Sequence, residues 1–260
     1  MIQPIPCFLY NPMLKDIGDR FQQETKYDPH SLGGQGLDWS RRPEPFKEYL
    51  SSAERVRLPE LNLEDYSMTL SEAILRRRSI RAYREGEIKL KDLAYLLWAT
   101  QGVTARYGEF LFRTAPSAGA LYPVETYVFT RRVEALKKGL WHYNVRSFEL
   151  ELIREGELEN ELAQAALMQP MVQKAQVVFL WTAVVERSKW KYSQRAYRYI
   201  YLDAGHICEN LYLAATACGL GCCAIGAFFD DWLNEIIGID GKEETIVYMA
   251  TLGLPKKKEV

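Results

Sequence analysis

Four arginines fall within the six residues 76–81 of "RRRSIRAY" (76–83), with Ser79 among them. Guanidinium forks grip phosphate oxygens bidentately and a hydroxyl adds a further donor, so this corner suits an anion. The same arginines at a helix C-terminus would complement its dipole and reach into solvent, and both readings stand on the residues alone. A second stretch, "RTAPSAGALYP" (113–123), sets small or turn-forming residues from Ala115 to Ala120 between an arginine and a tyrosine. Small side chains let a backbone come close to something, either another part of the protein or a ligand. A third, "WKYSQRAYRYIYLDAGH" (190–206), carries Tyr192, Tyr197, Tyr199 and Tyr201 among several cations. At helical spacing Tyr192, Ala196, Tyr199 and Asp203 share one face. Such an aromatic stripe is ordinary core or interface. Lys191 beside Tyr192 suggests more, because an ammonium favours phenolate and equips the pair for proton transfer.

Other chemistries find little support. His30, His142 and His206 are far apart, and no two share ligand spacing, so no metal site is expected. There is no G-x-S-x-G, P-loop or HExxH motif, and "GLG" (219–221) lacks the strand-first order of a dinucleotide fingerprint.

These residues need a scaffold, and 260 residues with 48% apolar content can bury a sizeable core. Thirty-three basic against 34 acidic side chains leave a net charge of −1, which argues against a protein that works by embracing nucleic acid. A single-strand surface of arginines and stacked tyrosines is the competing reading from another class. Five cysteines without C-x-x-C suit a reducing, cytoplasmic compartment better than a disulfide framework. Residues 211–229 run uncharged for nearly a bilayer's span, but Gly219, Gly221 and Gly226 favour a buried helix followed by a buried strand.

Residues 1–67 hold seven of the eleven prolines and the cluster "SLGGQG" (31–36), and read as an irregular arm wrapping the body. From residue 68 the pattern becomes regular. Thr69 and Glu72 mark a helix start whose apolar face is Leu70, Ala73 and Ile74. A second helix covers 90–101 through Leu90, Leu93, Ala94 and Leu97. Strands are expected at 124–130, in a hairpin of "GLWHYN" and "FELELI", at 176–184, at "CCAIGAF" and at 245–253, with helices near 157–168, 188–218 and 231–237. The class is α+β, with a mainly antiparallel sheet flanked by helices.

Together the motifs resemble the nitroreductase-like flavoproteins, and within them the SagB-type azoline dehydrogenases. The resemblance rests on "RRRSIRAY", "PSAGALYPVETYVF", "KYSQRAYRYIYLDAGHICENLYLAATACGLG" and "AIGAFFDD…LGID…E…VYMATLGLP", in order over residues 68–255, and extends to "ETKYDPH" and "LDWSRRPEPFKEY" in the arm. It implies a nitroreductase-like FMN-binding domain over 68–260, with FMN held at the interface of a homodimer. Arg77, Arg78, Ser79 and Arg81 match the segment that holds the flavin phosphate, ribityl chain and pyrimidine edge. Pro116, Ser117, Ala118, Gly119 and Ala120 match the loop that approaches the isoalloxazine of the partner subunit's flavin. Gly226 and Ala227 match the backbone facing the flavin's reactive edge. Lys256, Lys257 and Lys258 lie where many relatives place another phosphate-binding cation. Lys191 and Tyr192 match the pair that acts as base on a thiazoline or oxazoline, carried by a small molecule or a peptide. An NAD(P)H-dependent reductase of nitro compounds or quinones is the alternative on the same fold.

Overall fold

The computed structural model describes residues 16–30, 36–49, 54–108 and 110–256. Most of "SLGGQG", together with Lys257 and Lys258, lies outside them. The α+β architecture is as expected. Nine strands are described: β1 (Arg55–Arg57), β2 (Val103–Tyr107), β3 (Phe110–Arg113), β4 (Val124–Thr130), β5 (Gly139–Asn144), β6 (Glu149–Glu155), β7 (Val177–Val184), β8 (Gly221–Ile225) and β9 (Glu244–Gly253). Seven of them form one sheet in the order β1-β6-β5-β4-β7-β9-β8, with every neighbouring pair antiparallel. The β2–β3 hairpin stands apart and had no counterpart in the sequence reading.

Eight α-helices accompany them among the described residues: α1 (Ile17–Glu24), α2 (Leu70–Arg76), α3 (Leu90–Gln101), α4 (Glu159–Ala165), α5 (Pro170–Lys174), α6 (Glu186–Tyr192), α7 (Ala196–Ala217) and α8 (Asp230–Ile237). Alternation along β7 explains the layering. Phe179 and Trp181 face a core shared with Leu93, Leu97 and Leu211 of α3 and α7, while Val178 and Leu180 face a second core with Leu162, Val172 and Leu233 of α4, α5 and α8. The sheet is therefore covered on both faces.

Three expectations need correction. The helix read over 188–218 is two helices. Ser193, at φ 49° and ψ −137°, breaks it directly after Tyr192, and a single 3₁₀ turn (Ser193–Arg195) restarts it. The apolar face of α2 is not buried: Thr69 caps the helix by accepting from the Glu72 N–H, but Leu70 and Ile74 stand exposed beside Leu75, and only Ala73 is buried. The segment before residue 68 is also less irregular than expected, since it contains α1 and contributes β1 to the edge of the main sheet through pairing with β6. No described helix is long and apolar enough to cross a membrane; residues 211–217 close α7 and 221–225 form β8.

Candidate active site

The arginine corner follows α2. Ile80 N–H donates to the carbonyl of Cys222 at 2.9 Å, so residues 77–81 run beside the start of β8. Tyr212, on α7, ties the two segments together. Its hydroxyl lies 3.0 Å from Ser79 Oγ and accepts from the Ala224 N–H at 2.7 Å, while the Arg77 guanidinium sits over its ring at 5.4 Å. Sequence reasoning missed Tyr212, which looks like one more aromatic of a buried helix. Arg76 spends its charge on Glu72 at 2.5 Å, but among the described residues Arg77, Arg78 and Arg81 have no carboxylate partner. Arg78 Nη1 donates to the carbonyls of Leu75 and Arg77. Burial pushes the nearby Cys223 thiol up, with the Arg81 charge opposing that shift. Lys256 donates its backbone N–H to the carbonyl of Ala82 at 3.0 Å, which brings Lys256 to the same corner.

Beyond Ala224, β8 ends at Ile225 and opens into Gly226 and Ala227. Gly226 is exposed, and a Cβ placed on it would meet only Tyr248, at 3.9 Å. Three guanidiniums without a carboxylate, a hydroxyl, and an open stretch of backbone form a donor set that fits a phosphorylated ring ligand.

The small-residue loop is anchored elsewhere. Ser117 Oγ donates to Asp203 Oδ2 at 2.6 Å and accepts from the Tyr122 N–H at 2.9 Å, and the Ala118 N–H donates to Asp203 Oδ1 at 3.3 Å. Burial raises the Asp203 carboxyl above its ordinary value despite these bonds. The loop then makes one 3₁₀ turn over Ala118–Ala120, with Gly119 at φ +64°. Pro116 and Gly119 are exposed.

What the loop approaches in its own chain is the Lys–Tyr pair. A Cβ built on Gly119 would stand 2.5 Å from Tyr192 Oη and 3.0 Å from Lys191 Nζ. The Lys191 ammonium lies 5.4 Å from the Tyr192 ring centroid, and the break at Ser193 ends α6 with both side chains beside the loop. The structure thus brings together Lys191, Tyr192, Gly119 and, through Ser117, Asp203.

It does not bring this cluster to the arginine corner. Asp203 and Tyr212 are nine residues apart on α7. At 3.6 residues per turn that is about two and a half turns, on opposite faces and about 13 Å apart along the axis. The chain therefore presents two separate clusters.

The fold agrees with the comparisons. Residues 74–254 match the model of the nitroreductase family, and the chain belongs to that family. By that membership it is an oxidoreductase. MJ1384 of Methanocaldococcus jannaschii, which bears a nitroreductase name, is 36% identical over 194 residues, covering 75% of this chain and 93% of that protein. The trifolitoxin-processing protein TfxB of Rhizobium leguminosarum bv. trifolii is 35% identical over 118 residues, 44% of this chain and 32% of that one. Among solved structures, an Anabaena variabilis protein with a nitroreductase name gives a TM-score of 0.74 at 31% identity, covering 90% of this chain but only 45% of that one. A chain of the E. coli microcin synthetase McbBCD complex, solved with truncated pro-MccB17 bound, gives 0.62 at 18% identity over 95% of both chains, a likeness of fold.

Proposed function

We propose that the protein is an FMN-dependent azoline dehydrogenase that works as a homodimer, oxidising thiazoline or oxazoline rings in a peptide or peptide-derived molecule. The observation that carries this reading is the convergence of Lys191 Nζ and Tyr192 Oη on Gly119. A lysine nitrogen and a phenol held together at one small, exposed loop suit proton transfer at a ring carbon. The toxin-processing name of TfxB and the peptide-bound microcin synthetase support a peptide-derived substrate.

In this reading Arg77, Arg78, Ser79 and Arg81 hold the FMN phosphate, ribityl chain and pyrimidine edge. Gly226 and Ala227 present backbone to its ring, and Pro116 to Ala120 cover the ring bound by the other subunit. FMN would supply the hydride acceptor when bound, with oxygen as the final electron acceptor. The Lys191–Tyr192 pair takes the proton from one ring carbon as the neighbouring carbon loses hydride, and the new double bond makes the ring aromatic. Small side chains at 117–120 would leave room for the flavin ring, and Ser117 with Asp203 hold that loop in place.

Two features favour a dimer. The two clusters lie on opposite faces of α7, and large apolar side chains stand exposed on α2 (Leu70, Ile74, Leu75), α7 (Tyr201, Leu202) and α8 (Trp232). Buried thiols at Cys208, Cys222 and Cys223 suit the reducing cytoplasm.

The test begins with an absorbance spectrum of the native protein, which should show bound flavin. Anaerobic stopped flow follows, with a thiazoline-containing peptide in one syringe and NAD(P)H in another. Bleaching by the thiazoline is expected. Rapid bleaching by NAD(P)H alone would instead identify a nitro or quinone reductase. A protein that refuses FMN, or is strictly monomeric, would end the reading.

A further inference from the structure

The arm precedes the stretch that matches the family, which begins at residue 74. Its contacts on the body fall on both sides of Lys191–Tyr192. On the N-terminal side, Arg187 Nε donates to the carbonyl of Glu44 at 2.8 Å. Trp190 Nε1 donates to the carbonyl of Asp38 at 3.0 Å, and the Trp190 ring meets Trp39 edge-on at 5.5 Å. On the C-terminal side, Arg195 Nη1 donates to the carbonyl of Thr25 at 2.7 Å, and Arg198 donates to Thr25 Oγ1 and the carbonyl of Gln22. The Arg195 guanidinium also stacks over Tyr27 at 4.2 Å. The helix break at Ser193 is thus bracketed by the arm.

One chain of contacts reaches the pair itself. Tyr192 meets the Tyr199 ring edge-on, with centroids 4.7 Å apart. The Tyr199 hydroxyl accepts from Arg195 Nε at 2.9 Å and lies 3.3 Å from the Tyr27 hydroxyl. Hydrogen bonding from Tyr27, with the Arg195 charge, draws the Tyr199 phenol below its ordinary range although burial opposes it. Tyr199 is therefore held from two directions, one of them the arm, and the face it presents sets where the Tyr192 ring can lie. Against Gly119 there is no slack: Tyr192 Oη already occupies the space a methyl group would need.

We propose that Tyr27 and Tyr199 are positioning residues that fix Tyr192 against the small-residue loop, so that the arm completes the acid–base half of the site. This rests on the reading of Lys191–Tyr192 as the proton-transferring pair. It makes the arm part of the machinery, not a covering. An aromatic hydroxyl pair is a fitting device, because two rings carry few rotamers and cost little to order.

The test uses the full-length holoprotein labelled with [ζ-13C]tyrosine, in native form and as Tyr27→Phe and Tyr199→Phe. Phenylalanine keeps each ring and removes only the hydroxyl. The Tyr192 resonance, assigned by its disappearance in Tyr192→Phe, is expected to move in both variants while that of Tyr212 stays in place. With a thiazoline peptide, kcat should fall about tenfold with KM changed by less than about twofold, the split expected when geometry at the reacting atoms is lost. A Tyr192 resonance unmoved in both variants overturns the proposal, whatever the turnover. Should Tyr199→Phe fail to fold, Tyr27→Phe alters an exposed residue and carries the test alone. If Lys191→Ala leaves thiazoline oxidation intact, the acid–base reading has failed, and the resonance still reports whether the arm positions Tyr192.

Discussion

Gly119 and Tyr192 lie 73 positions apart, yet a Cβ on the glycine would come within 2.5 Å of the phenol oxygen. The glycine also sits at φ +64°, a conformation that costs an L-residue about 1–2 kcal/mol. Gly119→Ala therefore carries two penalties, strain in the turn and a clash with the Lys191–Tyr192 pair. Flavin content should fall less than on loss of the arginine corner, which lies elsewhere, while turnover of the thiazoline peptide falls. A variant with native kcat would show that the pair does not depend on this approach.

Among the described residues Arg77 and Arg81 have no carboxylate to neutralise their charge. Replacing both by alanine removes two charge-assisted contacts, so FMN affinity should fall by about a hundredfold or more. The measurement is flavin remaining after dialysis, with sedimentation showing that the dimer persists. Retained flavin would remove the corner from the cofactor site.

Ser117 is the link between the small-residue loop and α7. Ser117→Ala takes a donor from buried Asp203 and an acceptor from the Tyr122 N–H. Leaving such groups unpaired costs about 1–3 kcal/mol, which a thermal melt reads as a lower Tm. The flavin spectrum should shift as well if the loop covers the ring. An unchanged melt would mean that the backbone of the turn holds itself.

A pH dependence follows from the polar end of the sheet. His142 lies fully buried between Glu125 and Glu151, with 2.9 Å contacts on each ring nitrogen. Burial alone pulls His142 down, but the hydrogen bonds and charges of the two glutamates outweigh it and the net direction is up from 6.5. Burial pushes Glu125 up, but the charge of Arg187 and the bond to His142 outweigh it and bring Glu125 to about 2. A base raised on folding stabilises fully below its unfolded value and loses that contribution as pH rises through its folded one. A carboxyl lowered on folding stabilises above its unfolded value and loses it as pH falls. Urea midpoints should therefore decline as pH falls from 4.5 towards 2, and again as pH rises above 6.5 through the raised His142 value. His142→Gln should remove the alkaline decline. A native midpoint flat across that alkaline range would contradict the buried charge pairing.

Much of the architecture could be read from local pattern. Thr69 announces α2, the alternation of "VETYVFT" gives β4, and the hairpin of β5 and β6 falls where a polar turn parts two apolar runs. These are signals carried by near neighbours, and periodicity reports them. The break at Ser193 escaped it, because serine is an unremarkable helix residue and the positive φ there goes with contacts made by Gly119 on one side and the arm on the other. The same limit hid Tyr212 and the outward face of α2, whose apolar residues look like core until the fold leaves them on the surface.

The sequence by itself determined the candidates on which the proposed chemistry rests: clustered guanidiniums, a loop nearly free of side chains, and a lysine beside a tyrosine. Tertiary structure alone decided their grouping. Lys191 and Tyr192 meet Gly119, while α7 separates that cluster from the arginine corner by half a turn of phase and the length of several residues. The reason is that composition and spacing along a chain fix what each side chain can do, but which side chains share a space depends on how distant segments pack, and that is settled only when the sheet, α7 and the arm are in place together.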